Sequence, residues 1–352
     1  MFLNFKSQLK KTAKLINLIT LITGSLSCSF APQALAQAQQ AWPNKTIKII
    51  VGFAPGGPTD VIARAYANKL SVELNQQVIV ENRQGAGGSL AASYVAKSAP
   101  DGYTLLMAEP GSMAVNIAFS NQGNYDPIKD FAPIAQVVSL PMVLVASPQL
   151  KINSLKELIA LSRAKPIAYG TPGNATMQHL SMTEFARVNQ IQLTHVAYRG
   201  GAPAMTDLLG GQISLVMVTV PSIAPYLKGS SSMGNGSLGS TSSSPSIVPL
   251  VLESPTRSAL TPTTPTFAEL GFSNFTQDIW QGFVAPAQTP KDIISKLTNS
   301  IASISHAAEF QSSISAMGAT LAVTNAAEFS KLIQKDVAYW SKLVADNPSI
   351  KE

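Results

Sequence analysis

Short apolar runs alternate with segments of helical periodicity along most of the chain. The run Ile47–Phe53 predicts a strand, and the apolar positions that follow it to Leu70 predict a helix. Further strands are predicted at Gln77–Glu81, Tyr103–Ala108, Met142–Ser147, Ile167–Gly170, Leu193–Ala197, Ile213–Val220, Ile247–Leu252 and Ile279–Val284. Further helices are predicted at Ser89–Lys97, Met113–Ser120, Ser154–Arg163, Thr176–Asn189, Ala202–Leu209, Lys291–Ser305, Ala307–Met317 and Ala326–Ala345. This rhythm predicts α/β architecture with parallel, doubly wound sheets.

The turn between the first strand and the first helix is the most informative feature. It reads Ala-Pro-Gly-Gly-Pro-Thr-Asp over Ala54–Asp60. Gly56 and Gly57 allow a sharp turn and leave backbone N–H groups uncovered, and Thr59 or Asp60 is expected to cap the helix. Free N–H groups at a helix start attract anions, and phosphate and carboxylate are equally good candidates at this stage.

Several other loops repeat this design of small residues followed by a polar helix start. They are Gln84–Ser89, Glu109–Ser112, Gly170–His179 and Tyr198–Pro203. Together they predict a pocket lined by neutral donors, which suits binding and release of a small anion better than catalysis. None contains G-x-G-x-x-G or G-x-x-x-x-G-K-[ST], so a dinucleotide or nucleoside-triphosphate site is disfavoured.

Catalytic chemistry has little support in the sequence, and no enzyme, cofactor or metal site is predicted. His179 could touch the pocket or could fix its loop, whereas His195 is expected to be structural and His306 to lie on a surface helix. Neither H-E-x-x-H nor G-x-S-x-G occurs. Asp60 could be a base or a cap, and Arg199 could clamp a carboxylate or be solvated.

Glu109 is an awkward residue for an anion pocket. Its carboxylate would repel a bound carboxylate, or would select a ligand that also carries an ammonium or another donor.

The first residues predict a secretory signal rather than part of the fold. Four lysines precede an apolar run, and the small-residue site that follows allows cleavage after Ala36 or Ala38. The run is short and contains Gly24, so a membrane anchor ranks well below cleavage. A lipoprotein site at Cys28 is also disfavoured, because Ser25–Ser27 match a lipobox poorly. A signal at 1–38 predicts a periplasmic protein.

Charge and cysteine content change once this signal is set aside. The chain carries a net charge of +6, but the four lysines of the signal account for most of it. The rest has no basic run of the kind that binds nucleic acid. Cys28 is the only cysteine, so the mature part has neither a disulfide nor a thiol nucleophile.

One segment breaks the alternation. Ser230–Ser246 consists mainly of serine and glycine without charge, which predicts a flexible loop at 230–246 that builds no core.

Motifs in fixed order make the chain resemble the receptors of tripartite tricarboxylate transporters, the Bug family of periplasmic solute-binding proteins. These motifs are FAPGGPTD at Phe53–Asp60, VENRQGAGG at Val80–Gly88, APDGYTLL at Ala99–Leu106, YDPIKDFAPIAQV at Tyr125–Val137, SLKELIALSRAKP at Ser154–Pro166, GNATMQHL at Gly173–Leu180, YRGGAPAMTDLLGGQI at Tyr198–Ile213 and WQGFVAPAQTP at Trp280–Pro290. They span nearly the whole mature chain.

The resemblance implies a two-lobed periplasmic-binding-protein fold of type II, with a hinge between two doubly wound domains. The first lobe would comprise 42–140 plus 267–352, and the second 141–266. By position, the residues expected to bind the ligand are Ala54, Gly56, Gly57, Thr59, Asp60, Ser112, Thr171, Gly173, Asn174, Thr176, His179, Tyr198, Gly200 and Ala202. The chain departs from the family at Ala175, Met177 and Gln178, where small or hydroxylated residues are usual.

The function that follows is capture of a small carboxylate and its delivery to the membrane permease of a tripartite transporter. The candidate ligands are di- and tricarboxylates, acidic amino acids and aromatic acids. A monomer is expected, and nucleic acid is not a partner. Two alternatives stay open: an orphan receptor that signals to a sensor, and a secreted α/β enzyme that acts on an anionic substrate.

Overall fold

The computed structural model describes residues 42–120, 124–227 and 247–346, which form eleven strands and ten α-helices. The strands are β1 Ile47–Val51, β2 Val78–Asn82, β3 Thr104–Ala108, β4 Phe131–Leu140, β5 Met142–Ala146, β6 Ile167–Thr171, β7 Leu193–Ala197, β8 Leu215–Thr219, β9 Val248–Glu253, β10 Ile279–Pro286 and β11 Thr320–Leu321. The helices are α1 Pro58–Glu73, α2 Ser89–Ala96, α3 Asn116–Ser120, α4 Leu155–Ala164, α5 Met177–Asn189, α6 Gly201–Leu209, α7 Val220–Ile223, α8 Lys291–His306, α9 Ala308–Ala316 and α10 Ala326–Asp346.

The strands form two separate sheets, one in each lobe. The sheet of the first lobe has the order β11-β4-β10-β3-β1-β2, and that of the second has the order β7-β6-β8-β5-β9. Helices pack on both sheets, as the alternating pattern predicted.

Both sheets are mixed, so the prediction of parallel sheets is wrong in part. β1 runs parallel to β2 and β3, and β6 runs parallel to β7 and β8, while the remaining pairs are antiparallel. The antiparallel pairs all contain β4, β5 or β10. These strands lie next to the places where the chain passes between the lobes without a crossover helix. Parallel neighbours require such a crossover connection, so the strands pair antiparallel.

The chain passes twice between the two sheets. Pro141 is the only residue between β4 of the first sheet and β5 of the second. The return runs from the end of β9 at Glu253 to the start of β10 at Ile279. β10 then enters the first sheet between β3 and β4, where all its residues are buried.

Most predicted elements agree with the structure to within two residues at each end. β4 and β11 were missed. In β4, Pro133 falls at a register shift opposite Val284, and the polar Gln136 and Ser139 interrupt the apolar pattern. The predicted helix Met113–Ser120 is confirmed only from Asn116, because Gly111–Val115 forms a π-helical turn.

Each lobe has its own apolar core. The core of the first lobe includes Ile50, Leu106, Phe131, Trp280 and Phe329. The core of the second lobe includes Val143, Leu208, Val216, Ile223 and Leu252.

An aromatic cluster fixes the segment that leads back to the first lobe. Phe267 and Phe275 pack against Phe185 of α5, with ring centroids 5.1 and 5.8 Å from it. The N–H of Phe267 also donates to the carbonyl oxygen of Leu252 in β9. Phe267 therefore packs with the second sheet.

Two predicted segments, the signal at 1–38 and the Ser/Gly-rich loop at 230–246, lie outside the described residues. Within the described part of the chain, no helix combines the length and the apolarity that crossing a bilayer requires.

Candidate functional site

The loops at the facing edges of the two lobes are in direct contact. The N–H of Ala54 donates to the carbonyl oxygen of Arg199 at 3.0 Å. A Cβ atom at Gly200 would come within 3.2 Å of the Ala54 nitrogen, and one at Gly87 within 2.7 Å of the carbonyl oxygen of Asn174. Glycine at 87 and 200 therefore lets the two backbones approach, and the lobes are closed on each other.

A cavity of about 30 Å³ lies between the closed lobes. The first lobe lines it with Phe53, Gly57, Pro58, Thr59, Glu109, Leu140, Ile279 and Gln281, and the second lobe with Pro172, Gln178, Gly201, Thr219 and Ser222. This volume holds only one or two water molecules. The lobes must therefore separate before a larger molecule can enter.

Three of the longer helices begin at this cavity, one in the first lobe and two in the second. Pro58, Gln178 and Gly201 lie in the first turns of α1, α5 and α6. Their N-terminal N–H groups and partial positive charges favour an anion in the space between them. No lysine, arginine or histidine is among the lining residues.

The prediction that Thr59 or Asp60 caps α1 is wrong. The helix begins at Pro58 with Gly57 as the N-cap residue, and no side chain caps it. Thr59 Oγ1 instead accepts a hydrogen bond of 2.7 Å from Gln281 Nε2. Since Gln281 lies on β10, this bond ties the start of α1 to the strand that returns the chain to the first sheet.

Asp60 is occupied by structural partners. Its carboxylate accepts 2.9 Å hydrogen bonds from the Gly56 N–H, Arg64 Nε and Asn82 Nδ2. Burial alone would raise the pKa of Asp60, but these bonds and the Arg64 charge hold it below the ordinary value. The carboxylate fixes the glycine turn, and it consumes the Gly56 N–H that the sequence suggested for an anion.

Glu109 and Gln281 place buried oxygens at the cavity. Their side chains are 6% and 2% exposed, and Oε1 of each has no hydrogen-bond partner. Burial raises the pKa of Glu109 to about 8, although backbone hydrogen bonds from Ser112 and Gly111 oppose the shift. A half-turn of the Gln281 amide would exchange its oxygen and its NH₂, so this residue can offer either an acceptor or a donor.

The loop after β6 is held by its own side chains. Thr176 is the N-cap of α5, and its Oγ1 both donates to the Gly173 carbonyl oxygen and accepts from the His179 N–H. Thr171 Oγ1 also donates to the Gly173 carbonyl oxygen, at 3.0 Å, and lies 2.7 Å from His195 Nε2. These residues shape the loop that carries Pro172 and Gln178 into the cavity.

The two histidines of this region stack on each other. The rings of His179 and His195 are 3.9 Å apart with an interplanar angle of 16°. His179 Nδ1 accepts the Ala175 N–H. Burial lowers the pKa of His179 to about 4, and burial together with His179 lowers that of His195 to about 3. Of the two roles open for His179, the geometry shows the fixing of the loop.

The remaining predicted residues lie beside the cavity rather than on its wall. The Tyr198 hydroxyl donates to Asp207 Oδ2 at 2.7 Å. Ser112 is buried, and its hydroxyl donates to the Glu109 carbonyl oxygen. Asn174 and Arg199 are exposed, and Ala202 is half-buried in the first turn of α6. Arg199 is exposed and lies outside the cavity, which agrees with a solvated arginine rather than with one that clamps a carboxylate.

Only Gly57 and Thr59 of the predicted residues line the cavity, and sequence reasoning missed most of its polar groups. Gln281 is the one glutamine in the otherwise mainly apolar run Ile279–Pro286, and this polar position within a buried strand could have indicated a site residue. Thr219 is the last residue of β8 and the N-cap of a proline-containing helix that includes Ser222, the same design as the loops that were recognised.

Comparison with known proteins agrees with this architecture. The family described as "Tripartite tricarboxylate transporter family receptor" matches residues 62–347.

The chain belongs to this receptor family.

Protein BugT of Bordetella pertussis is 32% identical over 308 residues, which cover 87% of this chain and 90% of that protein. Among solved structures, the periplasmic binding protein BugD is 28% identical with a TM-score of 0.78, covering 87% of this chain and 98% of its own. An R. palustris protein with adipate is 29% identical with a TM-score of 0.78, covering 86% of this chain and 97% of its own. The two-lobed fold is thus that of periplasmic binding proteins.

Proposed function

We propose that this receptor captures a small carboxylate, with a dicarboxylate as the first candidate, in the cavity between its lobes and passes it to a membrane permease. The observation that carries the proposal is the convergence of three helix starts from both lobes on one buried cavity. Adipate in a relative of similar fold supports the carboxylate class.

The wall of this site supports a neutral mode of recognition. Hydroxyls of Thr59, Thr219 and Ser222 and the amides of Gln178 and Gln281 stand beside the helix starts. Such groups can hold a carboxylate by hydrogen bonds without an opposite charge. Release to a permease is then easier than from a desolvated ion pair, which is costly to break.

The residues proposed to contact the ligand are therefore a revision of those expected from the sequence. Gly57 and Thr59 are kept, and Gln178, Gly201, Thr219, Ser222, Glu109 and Gln281 are added. Ala54 and Gly200 serve closure of the lobes, while Asp60, Thr171, Gly173, Thr176, His179 and Tyr198 shape the loops.

The lobes are proposed to divide after Leu140 and near Asp278. The second boundary is later than the predicted position 267, because Phe267 packs against Phe185 of the second lobe. Both boundaries then fall where the chain leaves one sheet for the other.

The receptor is proposed to act in the periplasm as a monomer, after cleavage of the signal at 1–38. Its partner would be the membrane permease of a tripartite transporter, in agreement with the family description.

Thermal-shift measurements on the chain from Gln39 onward test the proposed ligand class. The panel should hold glutarate, adipate, malate, citrate, glutamate and benzoate. A ligand at a hundred times its Kd adds about 2.7 kcal/mol to the free energy of unfolding. No shift with any carboxylate would refute the proposal.

Two threonine variants then test the position of the site. Thr59→Val removes a hydroxyl from the cavity wall, whereas Thr206→Val removes an exposed hydroxyl from α6. Calorimetry should find weaker binding in Thr59→Val and unchanged binding in Thr206→Val. Equal affinities in both variants would move the site elsewhere.

A further inference from the structure

Among the residues that the structure describes, Glu109 is the one ionisable side chain that lines the cavity between the lobes. Its residue is 6% exposed, and its Oε1 has no hydrogen-bond partner. A second buried oxygen without a partner, Gln281 Oε1, lines the same cavity. The site therefore holds two buried acceptor oxygens, among its hydroxyl, amide and N–H donors, where the receptor is proposed to hold an anion.

An ionised Glu109 beside the carboxylate of a bound ligand would place two negative charges in one buried site. Two carboxylates within hydrogen-bond distance in a desolvated site cannot both be ionised, and one of them retains a proton. No lysine or arginine lines the cavity to offset a second negative charge. The helix starts can stabilise one anion, but their partial charges do not balance two.

The charged and titratable groups around the cavity do not resolve this conflict. Asp60 of α1 is bound to Gly56, Arg64 and Asn82. Before β10, the Asp278 carboxylate accepts from Ser139 Oγ. The charge of Glu109 acts on Tyr125, whose hydroxyl donates to the Ser112 carbonyl oxygen.

The histidine stack of the second lobe also contributes no charge at neutral pH, since burial lowers the pKa values of His179 and His195 to about 4 and 3.

We propose that Glu109 and a carboxylate of the ligand share one proton while the lobes hold the ligand between them, further apart than in this structure, so that the receptor binds a carboxylate together with a protonated Glu109. The inference rests on the proposed function. The Glu109 hydroxyl then donates to a ligand carboxylate oxygen, which turns the residue that seemed unsuited to an anion site into a donor. The raised pKa of Glu109 agrees with a proton retained in this site at neutral pH.

Proton sharing predicts a pH dependence that belongs to Glu109 alone. Above the pKa of Glu109 in the open receptor, the Kd for glutarate should rise tenfold for each pH unit. Glutarate itself stays fully ionised over this range, because its carboxyl groups titrate below pH 6. The amide of Glu109→Gln can donate but cannot titrate, so its Kd for glutarate should be constant between pH 6 and pH 9.

The experiment is titration calorimetry of the chain from Gln39 onward with glutarate and with glutamate, which differ by one ammonium group. It is run at pH 6, 7, 8 and 9 for the unaltered receptor, Glu109→Gln and Glu253→Gln. Glu253 is a matched control, because it is also a buried glutamate with a pKa raised to about 8 but does not line the cavity. Glu253→Gln should keep the pH dependence.

The outcomes separate this inference from the proposed function. Weakening of glutarate binding with pH, lost in Glu109→Gln alone, supports proton sharing. Binding of glutamate but not glutarate, abolished in Glu109→Gln, would show that an ionised Glu109 pairs with an ammonium group and would overturn the inference. Binding of glutarate with the same Kd at all four pH values would also overturn the inference. Absence of binding for every carboxylate in the panel would refute the proposed function itself.

A second measurement covers the case in which Glu109→Gln does not fold. Glutarate binding to the unaltered receptor at pH 9, measured in two buffers of different ionisation enthalpy, counts the protons taken up. Uptake approaching one proton per glutarate is expected, and no uptake would overturn the inference.

Discussion

The N–H of Ala54 donates a hydrogen bond to the carbonyl oxygen of Arg199 at 3.0 Å, and this bond joins the two lobes across the cleft. Gly200 follows Arg199, at the N-cap of α6, with φ +133° and ψ 171°. Its lack of a side chain allows the Ala54 backbone to come close. Gly200, like Gly87, thus allows a close backbone contact that closes the cleft.

Gly200→Ala should weaken ligand binding by opposing this closure. The new Cβ would lie 3.2 Å from the Ala54 nitrogen and 3.6 Å from Phe53 Cβ, both in the other lobe. We expect carboxylate affinity to fall by about tenfold or more, which corresponds to about 1.4 kcal/mol. Calorimetry measures the affinity, and small-angle scattering should show a larger fraction of open receptor.

Gly85→Ala is the control for Gly200→Ala. Gly85 has nearly the same backbone angles, φ +133° and ψ 159°, but its Cβ would meet only the flexible tip of the exposed Leu90. Both variants carry backbone strain, and only Gly200→Ala should lose affinity. Equal losses would assign the effect to strain rather than to closure.

Asp60→Ala should destabilise the first lobe. The change leaves the Gly56 N–H, the Asn82 amide and the Arg64 guanidinium without their shared acceptor. Removing a buried acceptor that several donors share lowers the free energy of unfolding by about 2–3 kcal/mol. Urea denaturation measures this cost.

Asp346→Ala is the matched control for this charge pair. Asp346 pairs with Lys342 at the same i,i+4 spacing as Asp60 with Arg64, but both of its side chains are exposed. Its removal should leave the free energy of unfolding unchanged. A small loss in Asp60→Ala as well would mean that the turn holds its shape without the carboxylate.

Glu253→Gln should stabilise the receptor at alkaline pH. Burial raises the pKa of Glu253 from 4.5 to about 8. The hydrogen bond from Ser181 lowers this pKa, whereas the charge of Asp278 raises it further. Between these two values the unfolded chain has lost the proton and the folded chain keeps it. The free energy of unfolding therefore falls as pH rises from 4.5 to 8. The fall is at most about 1.4 kcal/mol for each pH unit.

Urea denaturation at pH 5, 6.5 and 8.5 measures this slope. Glu253→Gln should be close to the unaltered receptor at pH 5 and more stable than it at pH 8.5. Glu309→Gln, at a side chain that is 88% exposed, should keep the original slope. A parallel slope in Glu253→Gln would show that Glu253 is ionised in the folded state.

His195→Gln should reduce the acid sensitivity of the second lobe. The stacked His179 and His195 have pKa values lowered to about 4 and 3, while the unfolded chain takes up protons near 6.5. Their contribution to stability is complete above pH 6.5 and is lost as pH falls toward 4. Glutamine keeps a polar group for Thr171 and removes one titrating ring.

Melting temperatures between pH 7 and pH 4 test this prediction. His195→Gln should flatten the decline, whereas His306→Gln, at the exposed end of α8, should not. Identical declines in all three proteins would place the acid sensitivity elsewhere.

The sequence predicted most helices and strands because strand–helix alternation repeats with few interruptions. β4 was the exception, since Pro133 at a register shift and buried polar residues such as Gln136 obscure its period. The packing of Phe267 against Phe185 could not be predicted, because Phe185 is distant along the chain and such a contact is not visible in a local pattern.

The candidate site was predicted at the level of loops rather than side chains. A helix start indicates where an anion can bind, which is why the sequence pointed to Gly57 and Thr59, two residues that line the cavity. Which side chains turn inward depends on contacts between distant segments, as with Gln281 of β10 and Thr59 of α1. Asp60 shows the converse, because its sequence position suggests a ligand contact while Arg64 and Asn82 occupy it.

The position of β10 has a consequence for the order in which the protein assembles. All five strands of the second sheet are synthesised between Met142 and Glu253, so this sheet can form while the rest of the chain is still being made. The first sheet cannot, because β10 is its link between β3 and β4. Until Ile279–Pro286 is made, those two strands keep open edges of the kind that pair wrongly with other chains. The first lobe is therefore the part of this receptor whose strand edges wait longest for their partners during synthesis.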